Sequence, residues 1–141
     1  MLRLGETQYR QIVAHVYDGL PLEACGLLVG RSDRPGSVKV ASFVPCRNAA
    51  ASAKRYSIGP DGWAAADRET DAGNGEVVGV VHSHTHTDAY PSPTDVEEAA
   101  NPLLAGWHFV IVSLKDGPPV LRSFLIDDGT ITEEPVGLES R

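Results

Sequence analysis

Five consecutive residues, Val77-Val78-Gly79-Val80-Val81, carry no polar side chain. So short and so apolar a run suits a strand covered on both faces, the place of a central strand in a layered α/β fold. The residues after it set a further constraint. His82 and His84 lead into a polar, proline-punctuated loop, Thr85 to Pro91, after which Ser92, Pro93 and Asp95 open a helix that runs to Asn101-Pro102. Residues two apart on an extended chain face the same way, so the imidazoles of His82 and His84 can close on one ion. Asp95 is the natural third ligand, because the loop is long enough to fold back and set the first helical turn beside the strand end. Two imidazoles and a carboxylate leave a fourth position open, which is the arrangement of a catalytic zinc (Zn2+) rather than a closed structural one.

The rest of the chain reads as a scaffold for this stretch. Tyr9, Ile12, Val13, Val16 and Leu20 recur at helical spacing, predicting an opening helix from Thr7 that Gly19 and Pro21 end. Leu22 to Gly30 reads as a buried strand with one acid, Glu23, at its entrance, and Ser32 to Ser37 as a turn. Val38 to Pro45 is a second strand, Lys54 to Ile58 a shorter third, and Pro60 to Ala72 a helix with Trp63 on its inner face, broken by Gly73-Asn74-Gly75. Phe109 to Leu114, Leu121 to Ile126 and Thr130 to Glu133 complete the strands, the last two joined through the hairpin signal Asp127-Asp128-Gly129. Strands and helices interleave, but the closing strands have no helices between them, so a single mixed α/β domain over residues 1–141 with a mixed sheet is expected.

Composition narrows the function. A chain of 141 residues with 42% apolar and 22% charged residues can bury a core without staples. The formal charge of -7 argues against a broad phosphate-binding face, so nucleic acid is not an expected partner. Two cysteines, Cys25 and Cys46, are too few for a disulfide framework or a thiolate cage. The opening MLRLGETQYRQ lacks the apolar core of a signal peptide and no apolar run approaches the ~20 residues of a membrane span, so a cytoplasmic location away from membranes is expected.

Each feature also has a plainer reading. Ser92, Pro93 and Asp95 form a capping-box-like helix start whether or not Asp95 holds a cation, and the two roles are compatible. An isolated Glu23 would ordinarily be a solvated loop residue, but between a helix terminator and an apolar strand a carboxylate needs a partner. His86 continues the alternation as a spare ligand, with a solvent or supporting role preferred once Asp95 fills the third position. His15 and His108 have no such company and read as structural. A thiol-protease reading of Cys25 is disfavoured, since its apolar flanks would raise the thiol pKa.

Glu23 within E-A-C-G-L-L-V-G, together with H-S-H, seven residues and S-x-x-D (His82, His84, Ser92, Asp95), resembles the JAMM signature of MPN+ metalloproteases. The segments P-C-R-N-A-A, R-Y-S-I-G-P and A-Y-P-S-P-T-D are similar to those of small bacterial members, within which the Mec-type peptidases are most alike. The resemblance implies a cytidine-deaminase-like α/β sandwich with a mixed central sheet. It implies zinc held by His82, His84 and Asp95, Glu23 as general base and Ser92 as donor to the oxyanion. The implied partner is a ubiquitin-like sulfur-carrier protein, such as CysO, ending in Gly-Gly and carrying a cysteine or short tail to be released. The short loop between His84 and Ser92 leaves no insertion of the kind that grips linked ubiquitins. Against this stand a deubiquitinase-like isopeptidase or phage-tail-type hydrolase and, from another class, a noncatalytic MPN scaffold, which would lack the ligand set found here. A metallo-β-lactamase-type reading fails because His86 stands where an Asp is needed.

Overall fold

The apolar stripe near the start of the chain forms helix α1 (Glu6–Asp18), whose Ile12 and Val16 are fully buried. Burying such side chains contributes roughly 1.5–3 kcal/mol each. The structure, a computed structural model, describes residues 1–140. Strand β1 (Leu2–Gly5) precedes α1, and β2 (Cys25–Arg34), β3 (Ser37–Cys46), α2 (Pro60–Asp71), β4 (Glu76–His84) and α3 (Pro93–Ala99) follow it. A 3-10 turn at Pro102–Leu104 leads to β5 (His108–Ser113), β6 (Val120–Asp127), β7 (Thr130–Glu134) and β8 (Val136–Glu139). The strands form one mixed sheet in the order β7-β6-β5-β4-β2-β3-β1-β8, with β4 central as its apolar run predicts. The β4–β5, β1–β3 and β1–β8 pairs are parallel and the others antiparallel.

Helix α1 packs on one face of the sheet with Leu28, Val81 and Val110, whereas Ala66 of α2 and Ala99 of α3 join Leu27, Val44 and Val80 on the other. The expected mixed α/β sandwich is therefore present. A bulge in β4 opposite Leu28 and Val29 changes the alternation, so that Val77, Val80 and His82 share the α2/α3 face. His15 reaches from α1 to donate from Nε2 to the carbonyl oxygens of Cys25 (2.8 Å) and Cys46 (3.1 Å), the structural role expected of it.

Several expectations need correction. The opening helix is preceded by a strand, and a further strand closes the chain; both are four residues long, too short for alternation to register. The strand expected at Lys54 to Ile58 is absent: a single bridge joins Ile58 to Asn48. The Asn48 side chain replaces a ladder there, donating from Nδ2 to the carbonyls of Glu23, Ser52 and Arg55 and accepting at Oδ1 from the backbone of Ala50 and Ser57. The first long strand begins at Cys25 rather than Leu22 and continues through the first half of the expected turn, to Arg34. Trp63 is 39% exposed instead of facing inward. Helix α2 comes so close to the sheet at Gly62 that a Cβ there would lie 2.8 Å from Cys46 Sγ, which leaves room for Ala66 beneath the helix but not for an indole.

Candidate active site

The register of the central strands assembles the site. Cys25 of β2 lies opposite His82 of β4. Beyond that pair, Ser83 N donates to the Ala24 carbonyl (2.9 Å) and Ser83 Oγ accepts from Ala24 N (2.8 Å), so the segment leading into β2 stays clamped to the histidine strand. Glu23 is thereby held at the carboxyl end of β4, its own N–H donating to Ser52 O (2.8 Å) and its carbonyl accepting from Asn48 Nδ2 (2.9 Å). Its side chain is buried and makes no hydrogen bond to another described residue.

From the other side, Ser92 caps α3 by a reciprocal box: Ser92 Oγ accepts from Asp95 N (3.1 Å) while Asp95 Oδ2 accepts from Ser92 N (2.8 Å). That same Oδ2 lies 3.2 Å from His82 Nε2 and 3.2 Å from His84 Nε2, which are themselves 3.2 Å apart. Ligands ~2.0–2.1 Å from a tetrahedral ion sit about 3.3 Å from one another, so this triangle matches one face of a zinc-type polyhedron. The capping and ligand readings of Asp95 thus describe one atom. Capping occupies only a lone pair of Ser92 Oγ and leaves its O–H free to donate elsewhere. His84 Nδ1 donates to the Asp88 carbonyl (2.7 Å), which directs the ring's other nitrogen into the cluster.

The surroundings tune these groups. Burial lowers the pKa of His82 and keeps its ring neutral, as a ligand requires. Burial would also lower that of His84, but the Asp95 carboxylate and the Asp88 carbonyl outweigh it and raise the value. Burial alone would raise the Asp95 carboxyl, yet hydrogen bonds from the two imidazoles and Ser92 hold it far below the usual carboxylate range. Glu23 moves the other way, pushed up to about 7 chiefly by burial. Cys25 is buried and its thiol is pushed up to about 12, again mainly by burial, so it is a small hydrophobe and not a nucleophile. His86 is exposed beyond the end of β4, where alternation no longer applies, and takes no part in the cluster.

Two contributors escaped the sequence reading. The Asp88 carbonyl is a backbone group with no residue signature. Tyr56 stacks on His82 with ring centroids 4.5 Å apart and planes at 18°, and only its place in the R-Y-S-I-G-P segment singled it out. Tyr56 also lines a cleft of about 570 Å3 with Ile58, Trp63, Glu98, Leu104 and Trp107, which adjoins the cluster without including its three ligand residues.

A three-layer α/β fold with a buried His-His-carboxylate cluster at the end of a central strand is the class these features define. The family described as prokaryotic homologs of the JAB domain matches residues 6–127, and the chain belongs to it. The JAMM resemblance carried by the motif therefore holds at family level. The chain is 39% identical over 130 residues to CysO-cysteine peptidase of Mycobacterium tuberculosis, covering 90% of this chain and 84% of that protein. It is 32% identical over 117 residues to Desampylase of Haloferax volcanii, covering 79% and 80% respectively. Among solved structures, a Desulfitobacterium hafniense protein superposes with a TM-score of 0.88 at 32% identity over 100% of this chain and 94% of that one. A Salinibacter ruber protein does so with a TM-score of 0.73 at 31% identity, over 97% and 91%. No helix among the described residues is long and apolar enough to cross a membrane.

Proposed function

We propose that this chain is a single-domain, zinc-dependent peptidase that cuts after the C-terminal Gly-Gly of a ubiquitin-like sulfur-carrier protein, releasing cysteine or a short tail. The observation that carries the reading is the 3.2 Å triangle of His82 Nε2, His84 Nε2 and Asp95 Oδ2, since three ligand atoms brought so close fit the coordination of a single cation. Identity to CysO-cysteine peptidase over most of both chains supports the substrate class. Identity to Desampylase supports, as a second reading, cleavage of other bonds to ubiquitin-like proteins. Two free, buried thiols suit a reducing cytoplasm.

His82, His84 and Asp95 would hold the metal. Zinc bound there supplies Lewis acidity, polarising the scissile carbonyl and making a water nucleophile available near neutral pH. Glu23, whose carboxyl burial pushes up to about 7 in the metal-free protein, takes a proton from the attacking water onto its carboxylate and returns it to the departing amine nitrogen. Ser92 donates its free Oγ–H to the oxygen that gains charge, an interaction whose loss typically costs ~3 kcal/mol in the transition state. The cleft beside Tyr56, which mixes aromatic and aliphatic side chains with Arg55, Glu97 and Glu98, supplies room for an extended tail to approach the cluster.

The test is mass spectrometry of a carrier ending in Gly-Gly-Cys after incubation with zinc-loaded protein, with Glu23→Ala and a chelated sample as controls. Loss of the terminal residue in the first reaction alone is the expected result. An intact Gly-Gly-Cys carrier with cleavage of a carrier-lysine isopeptide bond would transfer the reading to the desampylase type. Purified protein that takes up no zinc would leave only a binding scaffold.

A further inference from the structure

The two histidines of the cluster are not held alike. His84 is oriented by a hydrogen bond from Nδ1 to the Asp88 carbonyl at 2.7 Å, the usual way in which the second nitrogen of a ligand imidazole fixes its ring. His82 is fully buried and its Nδ1 has no hydrogen-bond partner among the described residues. A buried ring nitrogen without a partner is uncommon, and rotation about the Cβ–Cγ bond of an imidazole is soft. The structure offers His82 one planar support. The phenol of Tyr56 lies nearly parallel to it, 4.5 Å between centroids and 18° between planes, whereas the His84 ring meets it at 58°. Tyr56 in turn is carried by a loop tied down through Asn48, which accepts from Ser57 N and donates to Arg55 O on either side of it.

We infer that Tyr56 is a positioning residue for the metal centre: its ring face takes the place of the absent hydrogen bond on His82 Nδ1 and keeps His82 Nε2 aimed at the ion. This rests on the proposal that the cluster binds zinc. The planar face does the work, not the hydroxyl, so Phe should serve at this position and a nonplanar side chain should not. The same ring lines the cleft beside the cluster, so its placement sets both the ligand geometry and one wall of the approach.

The test measures zinc affinity by competition with a chromophoric chelator for the wild type, Tyr56→Phe, Tyr56→Leu and Tyr56→Met, with metal-free thermal melts alongside. Supporting tissue for a zinc ligand is typically worth 10–100-fold in affinity, so Tyr56→Leu should bind at least ~10-fold more weakly while Tyr56→Phe stays near wild type. The visible bands of the cobalt-substituted protein should change in Tyr56→Leu and persist in Tyr56→Phe. Tyr56→Met, unbranched and nonplanar, substitutes for Tyr56→Leu should the latter not fold, with the same expectation. Wild-type affinity in the aliphatic variants, or an equal loss in Tyr56→Phe, would overturn the inference. A wild-type protein that binds no zinc would instead sink the proposed function.

Discussion

Strands β4 and β5 run side by side, and each carries a buried histidine against a carboxylate, at opposite ends of the pair. At the carboxyl end of β4, His82 and His84 meet Asp95; at the start of β5, His108 meets Glu134. The second cluster is closed. Glu134 Oε2 accepts from His108 Nδ1 (2.5 Å) and Ser123 Oγ (2.6 Å), and its other oxygen, which makes no hydrogen bond, faces the amino group of Met1 as an ion pair (3.1 Å). Burial would raise the Glu134 pKa, but these donors outweigh it and hold it below the usual range. The first cluster is convergent: three ligand atoms from a strand and a helix start approach one point, with an unpaired acid, Glu23, and a free hydroxyl, Ser92, beside it. Residue types are nearly the same in both. What differs is that the Glu134 charge is already met by His108, Ser123 and the Met1 ammonium, whereas the Asp95 oxygen converges with two other ligand atoms on one point, and that difference separates a structural clasp from a site with chemistry to do.

The largest effect should follow from breaking the convergence. His82→Ala should abolish stoichiometric zinc binding and reduce carrier cleavage by at least ~10³-fold, because the ligand set and every function of the ion fall together. Zinc analysis of the purified variant checks this. Metal binding should also weaken as pH falls, since the raised pKa of His84 means that protons compete for its ring.

Glu23→Gln should retain zinc yet lose ~10²–10⁴-fold in rate, the range for a general base. The wild-type rate should climb with pH along a limb at or below about 7, the cation favouring the carboxylate, and Glu23→Gln should lose that limb. Stability should move the opposite way. The folded pKa of Glu23 is raised, so its contribution declines as pH rises from the ordinary carboxylate value through about 7. Metal-free Glu23→Gln should therefore melt higher than wild type at pH 8, and an unchanged Tm would count against the buried placement of this acid.

Ser92→Ala should lower kcat ~10²–10³-fold and, through loss of the cap, destabilise the fold by about 1 kcal/mol. The smallest effect on catalysis belongs to the closed cluster. Glu134→Gln should leave zinc affinity and rate near wild type while destabilising the protein by roughly 1–3 kcal/mol, the cost of unmatched buried donors. Because the folded pKa of Glu134 is depressed, its contribution is present above the ordinary carboxylate value and is lost as pH falls through the folded value. The gap between Glu134→Gln and wild type should therefore narrow in acid, as denaturant melts at two pH values would show.

Much of this was legible in one dimension because it depends on local period. Val77 to Val81 reads as a covered strand, His82 and His84 share a face of its extension, and Ser92 to Asp95 reads as a helix start. Trp63 faces outward against its helical spacing because its environment depends on how closely α2 approaches Cys46, which spacing along the helix does not encode. Lys54 to Ile58 differs from its expected strand for a similar reason: Asn48 takes the hydrogen bonds a ladder would have used.

The sequence by itself determined which residues could ligate and which face they share, because period and capping are properties of neighbours in the chain. Only the tertiary structure decided that Asp95 meets the histidines at 3.2 Å, that Glu23 is buried beside them, and that Tyr56 backs His82 while Asp88 backs His84. Those outcomes depend on β2 pairing with β4 and on the loop closing over its end. Apart from Asp88 and His84, four residues apart within the loop, they join residues distant in sequence, and no local preference fixes the distance between them.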